Sequence, residues 1–366
     1  MKPCAHNANV LPRRQRGVSL VEIMIAITVG LVLTAGVIQV FVSNKQAYRV
    51  QEGLARVQEN GRFTLAFITR DVRGSGFLGC AGNATPIVNT LNDKTSLPWN
   101  FASPIQGFEA INPTTWWSTT ASLPLDASII VSAQGLTDVL TVRRSVGDPV
   151  PVVSPPGTPT GSTTITVTVT AALGAFNTPA NQIAMISDCT NAAVFQIRNA
   201  PNPSGTIDHA SGGASLPDAP GNATDALEKD FTDTAEVVRL STITYYIRSG
   251  ASGRPALWRQ VGAAAGAQEL VEGVEDMQIR YGVDTDNPPD RVPNQYLQAN
   301  LVTNFNNVVS VRVDLLLQSI EDNLTNAPQS YTYNSKNCPG DAGCPPADRR
   351  YRQVFGATIG LRNELL

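Results

Sequence analysis

The residues best placed to do chemistry lie near the N-terminus, where Glu22 stands five positions into an apolar segment running from Val18 to Val42. A carboxylate in such a segment costs about 2.5–3.5 kcal/mol on insertion scales, so it needs a charged partner or a place at the headgroups where it can snorkel out. Cleavage after Gly17 would supply the partner, because it makes Val18 a new N-terminal amine and Glu22 the fifth residue of the shortened chain. One subunit's amine then neutralises Glu22 of its neighbour inside a bundle of apolar helices. That pair sets axial register as a single buried polar residue does in a coiled coil.

Other chemistries have little to work with. Only two histidines are present, His6 and His209, which leaves no His-rich metal site and no His pair for acid–base catalysis. His209 falls in a Gly/Ser-rich stretch and reads as solvated. Gly74-Ser75-Gly76-Phe77-Leu78-Gly79 is a GxGxxG string, but it follows a helix where a dinucleotide site would follow a strand, so it reads as a helix stop. Asp284, Asp286 and Asp290 alternate as in a calcium loop without the Gly or late Glu of an EF-hand, and read as a turn with solvated acids. Asn83, Asn222 and Asn323 begin glycosylation sequons, a pattern frequent by chance and without meaning if the source is bacterial. No catalytic group, metal or cofactor is assigned, and the expectation is a protein that is not an enzyme. A membrane-anchored periplasmic enzyme with an incidental Glu22 is the contrasting class.

Cysteine usage points to an oxidising compartment. Cleavage removes Cys4 and leaves Cys80, Cys189, Cys338 and Cys344. Of the three connectivities, the favoured one pairs Cys338–Cys344 across Cys-Pro-Gly-Asp-Ala-Gly-Cys and Cys80–Cys189 from the helix end to the remaining chain. A four-cysteine zinc site is the alternative and lacks a CxxC pair.

These residues need elements to position them. Arg13, Arg14 and Arg16 precede the apolar run, so the positive-inside rule places residues 1–17 in the cytoplasm and the C-terminal bulk across the membrane. Residues 18–42 are long enough to span a bilayer. Ala47, Val50, Leu54, Val57, Gly61, Leu65, Ile68 and Val72 then step by three or four, which continues the span as an amphipathic helix. The whole helix, 18–73, would be roughly 80 Å long at 1.5 Å per residue.

From residue 74 to 366 the pattern changes to short β-type runs between Pro, Gly, Asn and Ser clusters. Strands are expected at Ala127–Ser132, Asp138–Arg144, Thr163–Thr170, Gln182–Ser187, Ala193–Arg198, Val237–Arg248, Ala256–Gln260, Met277–Val283, Val308–Gln318 and Gln353–Arg362. Long loops are expected at 149–161 and 199–226. Trp99, Trp116 and Trp117, with Phe101 and Phe108, read as core or sheet edge ahead of a binding platform. The fold class is α+β, a long helix packed on a mainly antiparallel β head.

Formal charge is −3, from 27 basic and 30 acidic residues, and loss of Lys2, Arg13, Arg14 and Arg16 leaves 23 basic residues, a net −7. That balance excludes a basic nucleic-acid-binding domain, and no direct nucleic-acid binding is expected.

Gly17 followed by Val18-Ser19-Leu20-Val21-Glu22-Ile23-Met24-Ile25-Ala26 resembles the processing site of type IV prepilins and pseudopilins. Lys45 to Glu52, Val57 to Phe63, Arg70 to Arg73 and Gly76 to Cys80 narrow the resemblance to PilW-type minor pilins of the type IV pilus assembly system. It is dense over residues 12–80 and recurs at Leu270–Gly282, Val308–Gln318 and Phe355–Asn363. The resemblance implies cleavage between Gly17 and Val18 by a prepilin peptidase, N-methylation of Val18, although major pilins more often have Phe there, and a filament-register role for Glu22. It also implies a low-copy tip or initiation complex with other minor pilins, the major pilin, an inner-membrane assembly platform and a tip adhesin, serving twitching motility, adhesion and DNA uptake. The chain would pass from the bacterial inner membrane to the periplasm or an extracellular pilus. A minor pseudopilin of type II secretion is the runner-up.

Overall fold

The computed structural model describes residues 17–76, 87–112, 115–117, 136–154, 162–177, 182–212, 220–262 and 267–361. The chain divides into two compact units, residues 1–52 and 53–366.

Helix α1 spans Leu20–Arg73 without a proline. Its ends match the helix dipole, with Glu22 in the first turn and Arg70 and Arg73 in the last. Gly74 and Ser75 then donate back to the carbonyls of Arg70 and Val72, and Gly76 turns the chain away at φ 70°. The expected glycine stop at 74–76 is thus observed, while 77–79 lie outside the described residues.

In the first unit every described position from Gly17 to Glu52 is non-buried, and the apolar side chains from Val18 to Val42 are exposed. This is a helix long and apolar enough to cross a membrane. In the second unit the helical stripe is real: Val57, Gly61, Thr64, Ile68, Asp71 and Val72 are buried, with Leu65 half-buried beside them.

Strands in chain order are β1 (Ile87–Asn89), β2 (Ile105–Asn112), β3 (Thr115–Trp117), β4 (Val139–Ser154), β5 (Thr164–Val167), β6 (Ile183–Ser187), β7 (Ala192–Gln196) and β8 (Thr206–Asp208). They continue with β9 (Glu236–Ser249), β10 (Pro255–Val261), β11 (Gln268–Glu272), β12 (Val274–Val283) and β13 (Gln295–Leu297). The last are β14 (Val308–Gln318), β15 (Tyr331–Tyr333), β16 (Lys336–Cys338) and β17 (Arg352–Gly360).

The larger sheet follows the order β1-β7-β6-β9-β4-β2-β3, with β10–β11 and β5–β8 branching from it. A four-stranded sheet has the order β13-β12-β14-β17, and β15–β16 is a separate hairpin. Among the described residues, pairing is antiparallel except for β1 with β7. The α+β class with a mainly antiparallel head is therefore observed.

The main core joins Val57, Ile68 and Val72 of α1 to Ile243 and Tyr245 of β9, Ile279 of β12 and Val313 of β14. Each fully buried aliphatic side chain there contributes about 1.5–3 kcal/mol of transfer free energy. Gly61 lets the helix approach β17: a Cβ there would lie 2.5 Å from the Phe355 ring.

Several expectations need correction. Residues 149–154, expected as loop, complete β4, whose register shifts between Val146 and Val150; that irregularity accommodates prolines within a strand. The rest of that loop, 155–161, lies outside the described residues. The stretch 199–226, expected to lack a core, contains β8, and Ile207 is buried with Ile165, Phe176 and Phe195 in a second hydrophobic cluster. The expected strand at 127–132 lies outside the described residues. Thr163–Thr170 shortens to Thr164–Val167 because only Ile165 and Val167 find the core, whereas Val169 is exposed.

Candidate functional site: the N-terminal helix and its buried charge cluster

Gly17, Val18 and Ser19 precede α1 in non-helical backbone, all exposed, and nothing lies within 4 Å of a Cβ built on Gly17. The Ser19 carbonyl accepts from the Ile23 amide at 3.1 Å and starts the helix. Glu22 follows one turn from Val18 on an exposed surface, so the two groups of the sequence argument are neighbours at the same helix end. The polar positions beyond it are satisfied locally. Thr28 Oγ1 donates to the Met24 and Ile25 carbonyls and Thr34 Oγ1 to that of Gly30, which suits hydroxyls in an apolar medium.

In the second unit the end of α1 is held by a buried charge cluster. Asp71, 3% exposed, receives Arg144 Nη2 on Oδ1 at 2.9 Å. Its Oδ2 accepts Tyr245 Oη at 2.6 Å and Arg259 Nε at 3.3 Å. Burial and the adjacent Asp71 charge push the Tyr245 phenol far above its ordinary range, so it stays a donor. Asn60 Nδ2 adds a bond of 2.9 Å to the Glu272 carbonyl, and Ser75 bridges Arg144. Sequence reasoning assigned no role to Asp71, Arg144 or Arg259. A signal existed, since Asp71 lies three residues from Ile68 on the buried stripe, and an acid on such a face requires partners.

Cys338 and Cys344 form a disulfide, closing the loop after β16 as expected. Cys189 is disulfide-bonded, and its expected partner Cys80 lies outside the described residues.

The remaining residues singled out in the sequence fall as follows. Trp99, Trp116, Phe101 and Phe108 are buried in hydrophobic clusters, which answers the choice between core and platform for these four. The backbone of Trp117 pairs in β3. His209 is buried, against the solvated reading: it packs on Phe195, and both ring nitrogens lack a hydrogen-bond partner. The local sequence looked like loop because the buried contacts come from β7 and the Asn222 turn. Asn222 is itself buried, with its amide bonded to the Gln196 and His209 backbone, so a glycan cannot attach there in this fold.

Asp284, Asp286 and Asp290 do bring carboxylate oxygens within 4.8 Å of one another. They are not all solvated, because Asp284 is buried. Its oxygens accept the Asp286 and Arg291 amides, Asp290 caps Val292, and Asp286 accepts from Asn294, so the acids already hold the turn after β12.

Comparison with known families agrees with this helix-plus-head arrangement. Residues 244–363 match the family described as Type IV Pilus-assembly protein W, and residues 12–38 match the Prokaryotic N-terminal methylation motif. The first match contains all three of the later segments on which the resemblance rested, whereas residues 39–80 lie outside both matches. No curated protein and no solved structure matches the chain.

Proposed function

From the premise that the chain is a PilW-type, type IV pilus-related pilin with an N-terminal methylation motif, we propose that it is a minor pilin that primes pilus assembly. The motif and the long apolar helix mark membrane anchoring. In this reading residues 1–17 are a leader removed by a prepilin peptidase, Val18 is methylated, and the chain waits in the inner membrane with its head outside the cytoplasm. The observation that carries the reading is the apolar segment from Val18 to Val42, helical from Leu20. It is apolar and bare on every side, with an acid one turn from the future amine. Such a surface is stable in lipid or among like helices and not in water.

A head of about 290 residues is too bulky to repeat around a thin fibre, so it fits few copies in an initiation or tip complex with other minor pilins, the major pilin and a tip adhesin. The protein works by geometry and not by catalysis. Deleting the gene and counting surface pili tests this role: pili should become rare and twitching should fail, with both restored by the wild-type chain. Unchanged pilus number would overturn it. A minor-pseudopilin role in type II secretion would instead appear as loss of secretion with pili intact.

A further inference from the structure

A cavity of about 250 Å³ opens in the second unit where the β15–β16 hairpin and the disulfide-closed loop meet the start of β12. Glu109, Asp276, Asn334 and Lys336 supply its polar wall, and Leu136 and Pro345 part of its apolar wall. Most of the polar groups are already answered. Asp276 Oδ1 accepts the Met277 amide at 2.7 Å and the Gln278 side chain at 3.2 Å, and Asn334 donates to Gln278 Oε1 at 2.9 Å. Behind them Asp138 is satisfied by the Ala110 and Ile279 amides.

Glu109 is the exception. It is 7% exposed, and its Oε1 accepts Gln298 Nε2 at 2.7 Å, but its Oε2 has no hydrogen-bond partner among the described residues. A buried carboxylate oxygen without a donor is costly, and its presence in a cavity wall marks the place of a missing donor.

We propose that this cavity is a receptor for a single primary ammonium group on a slender aliphatic stem, with Glu109 Oε2 as its anchor. The ammonium offers three N–H donors, which Glu109 and the acceptor oxygens of Asp276 and Asn334 can share. The space is below the ~300–1,000 Å³ of a drug-sized pocket and suits one side chain or a small amine. A divalent cation is a poorer fit, because calcium requires six to eight oxygens and would displace the hydrogen bonds that Asp276 and Asn334 already accept, whereas an ammonium can share those oxygens through their second lone pairs. Lys336 on the same wall opposes any incoming cation, so its removal strengthens binding. Burial pushes the Glu109 carboxyl above its ordinary range, with the Ala299 amide, Arg280 and Gln298 pulling it back, and an incoming cation would favour its ionised form.

The inference does not depend on the pilus role. The test is calorimetric titration of the full chain in detergent with N-acetyl-lysine methylamide and, separately, putrescine. A saturable one-to-one heat is expected, weakened about tenfold or more by Glu109→Gln and strengthened severalfold by Lys336→Met. Tighter binding of the lysine derivative assigns the site to a lysine of a partner protein, and tighter binding of putrescine assigns it to a free polyamine. Absence of saturable binding to either probe, or affinities unchanged by both substitutions, would overturn the proposal. Near-UV circular dichroism checks that Glu109→Gln folds, and Lys336→Met carries the test if it does not.

Discussion

Asp71 shows how one residue can join a helix to a sheet. Its carboxylate is shared by Arg144, Arg259 and Tyr245, so removing it leaves two buried or half-buried guanidinium groups and a buried phenol without their common acceptor. Breaking a buried pair from one side costs about 3–5 kcal/mol. Asp71→Ala should therefore lower the head's denaturation midpoint strongly, whereas Arg259→Ala, at a more exposed position, should cost less; chemical denaturation of both variants checks the order. At Gly61 the constraint is space. Gly61→Ala puts a methyl 2.5 Å from the Phe355 ring and should destabilise by about 1–3 kcal/mol, and the same substitution in a Phe355→Leu background should cost less. His209 gives a pH signature. Burial lowers its pKa below 6.5, so the unfolded chain takes up a proton that the folded chain refuses. Its contribution to stability is present above pH 6.5 and is lost as pH falls below that value. Asp276 works in the opposite sense, because burial pushes it up to about 7, and its contribution falls as pH rises from about 4 to 7. The difference between wild type and His209→Phe isolates the histidine: wild type should lose stability relative to the variant on going from pH 7 to pH 5.

At the scale of elements, the Cys338–Cys344 bridge closes a short loop and should contribute about 2 kcal/mol by restricting the unfolded chain. Replacing both cysteines with serine should lower the thermal midpoint by a few degrees in a non-reducing buffer and shrink the difference between reduced and oxidised protein to what the Cys189 bridge contributes. Much of this level was legible in the sequence. β14 occupies the expected Val308–Gln318, because its alternation places Val311, Val313 and Leu315 in the core and Arg312 outside. The helical stripe was equally readable, since its period survives over several turns. β2 was not, because its sequence contains Gly107 and few branched residues. The structure supplies the reason: Tyr281 Oη would lie 2.0 Å from a Cβ at Gly107, so the strand is selected for close approach and not for β propensity. β8 was hidden likewise, three residues whose partner, β5, is more than forty positions away. The N-terminal methylation motif was legible because its residues are contiguous in the chain, whereas the Asp71 cluster draws on residues 71, 144, 245 and 259 and exists only once the chain has folded.

At the scale of the whole molecule, an apolar helix and a β-rich head are linked by one continuous element, α1. Residues 53–73 pack into the head, and residues 20–42 lie in a helix long and apolar enough to cross a membrane; in the function proposed above the two parts have separate work. Glu22→Ala should leave processing at Gly17 intact yet prevent incorporation into pili, which immunoblots of sheared filaments against membrane fractions would read. Glu22→Gln should fail in the same way, because it keeps the shape and removes the charge. The central claim is that the chain is processed as a pilin, and it is tested most directly by the N-terminal sequence and intact mass of the chain co-produced with a prepilin peptidase and recovered from membranes. The account predicts a chain that begins at N-methylated Val18. An uncut chain beside an active peptidase would contradict it.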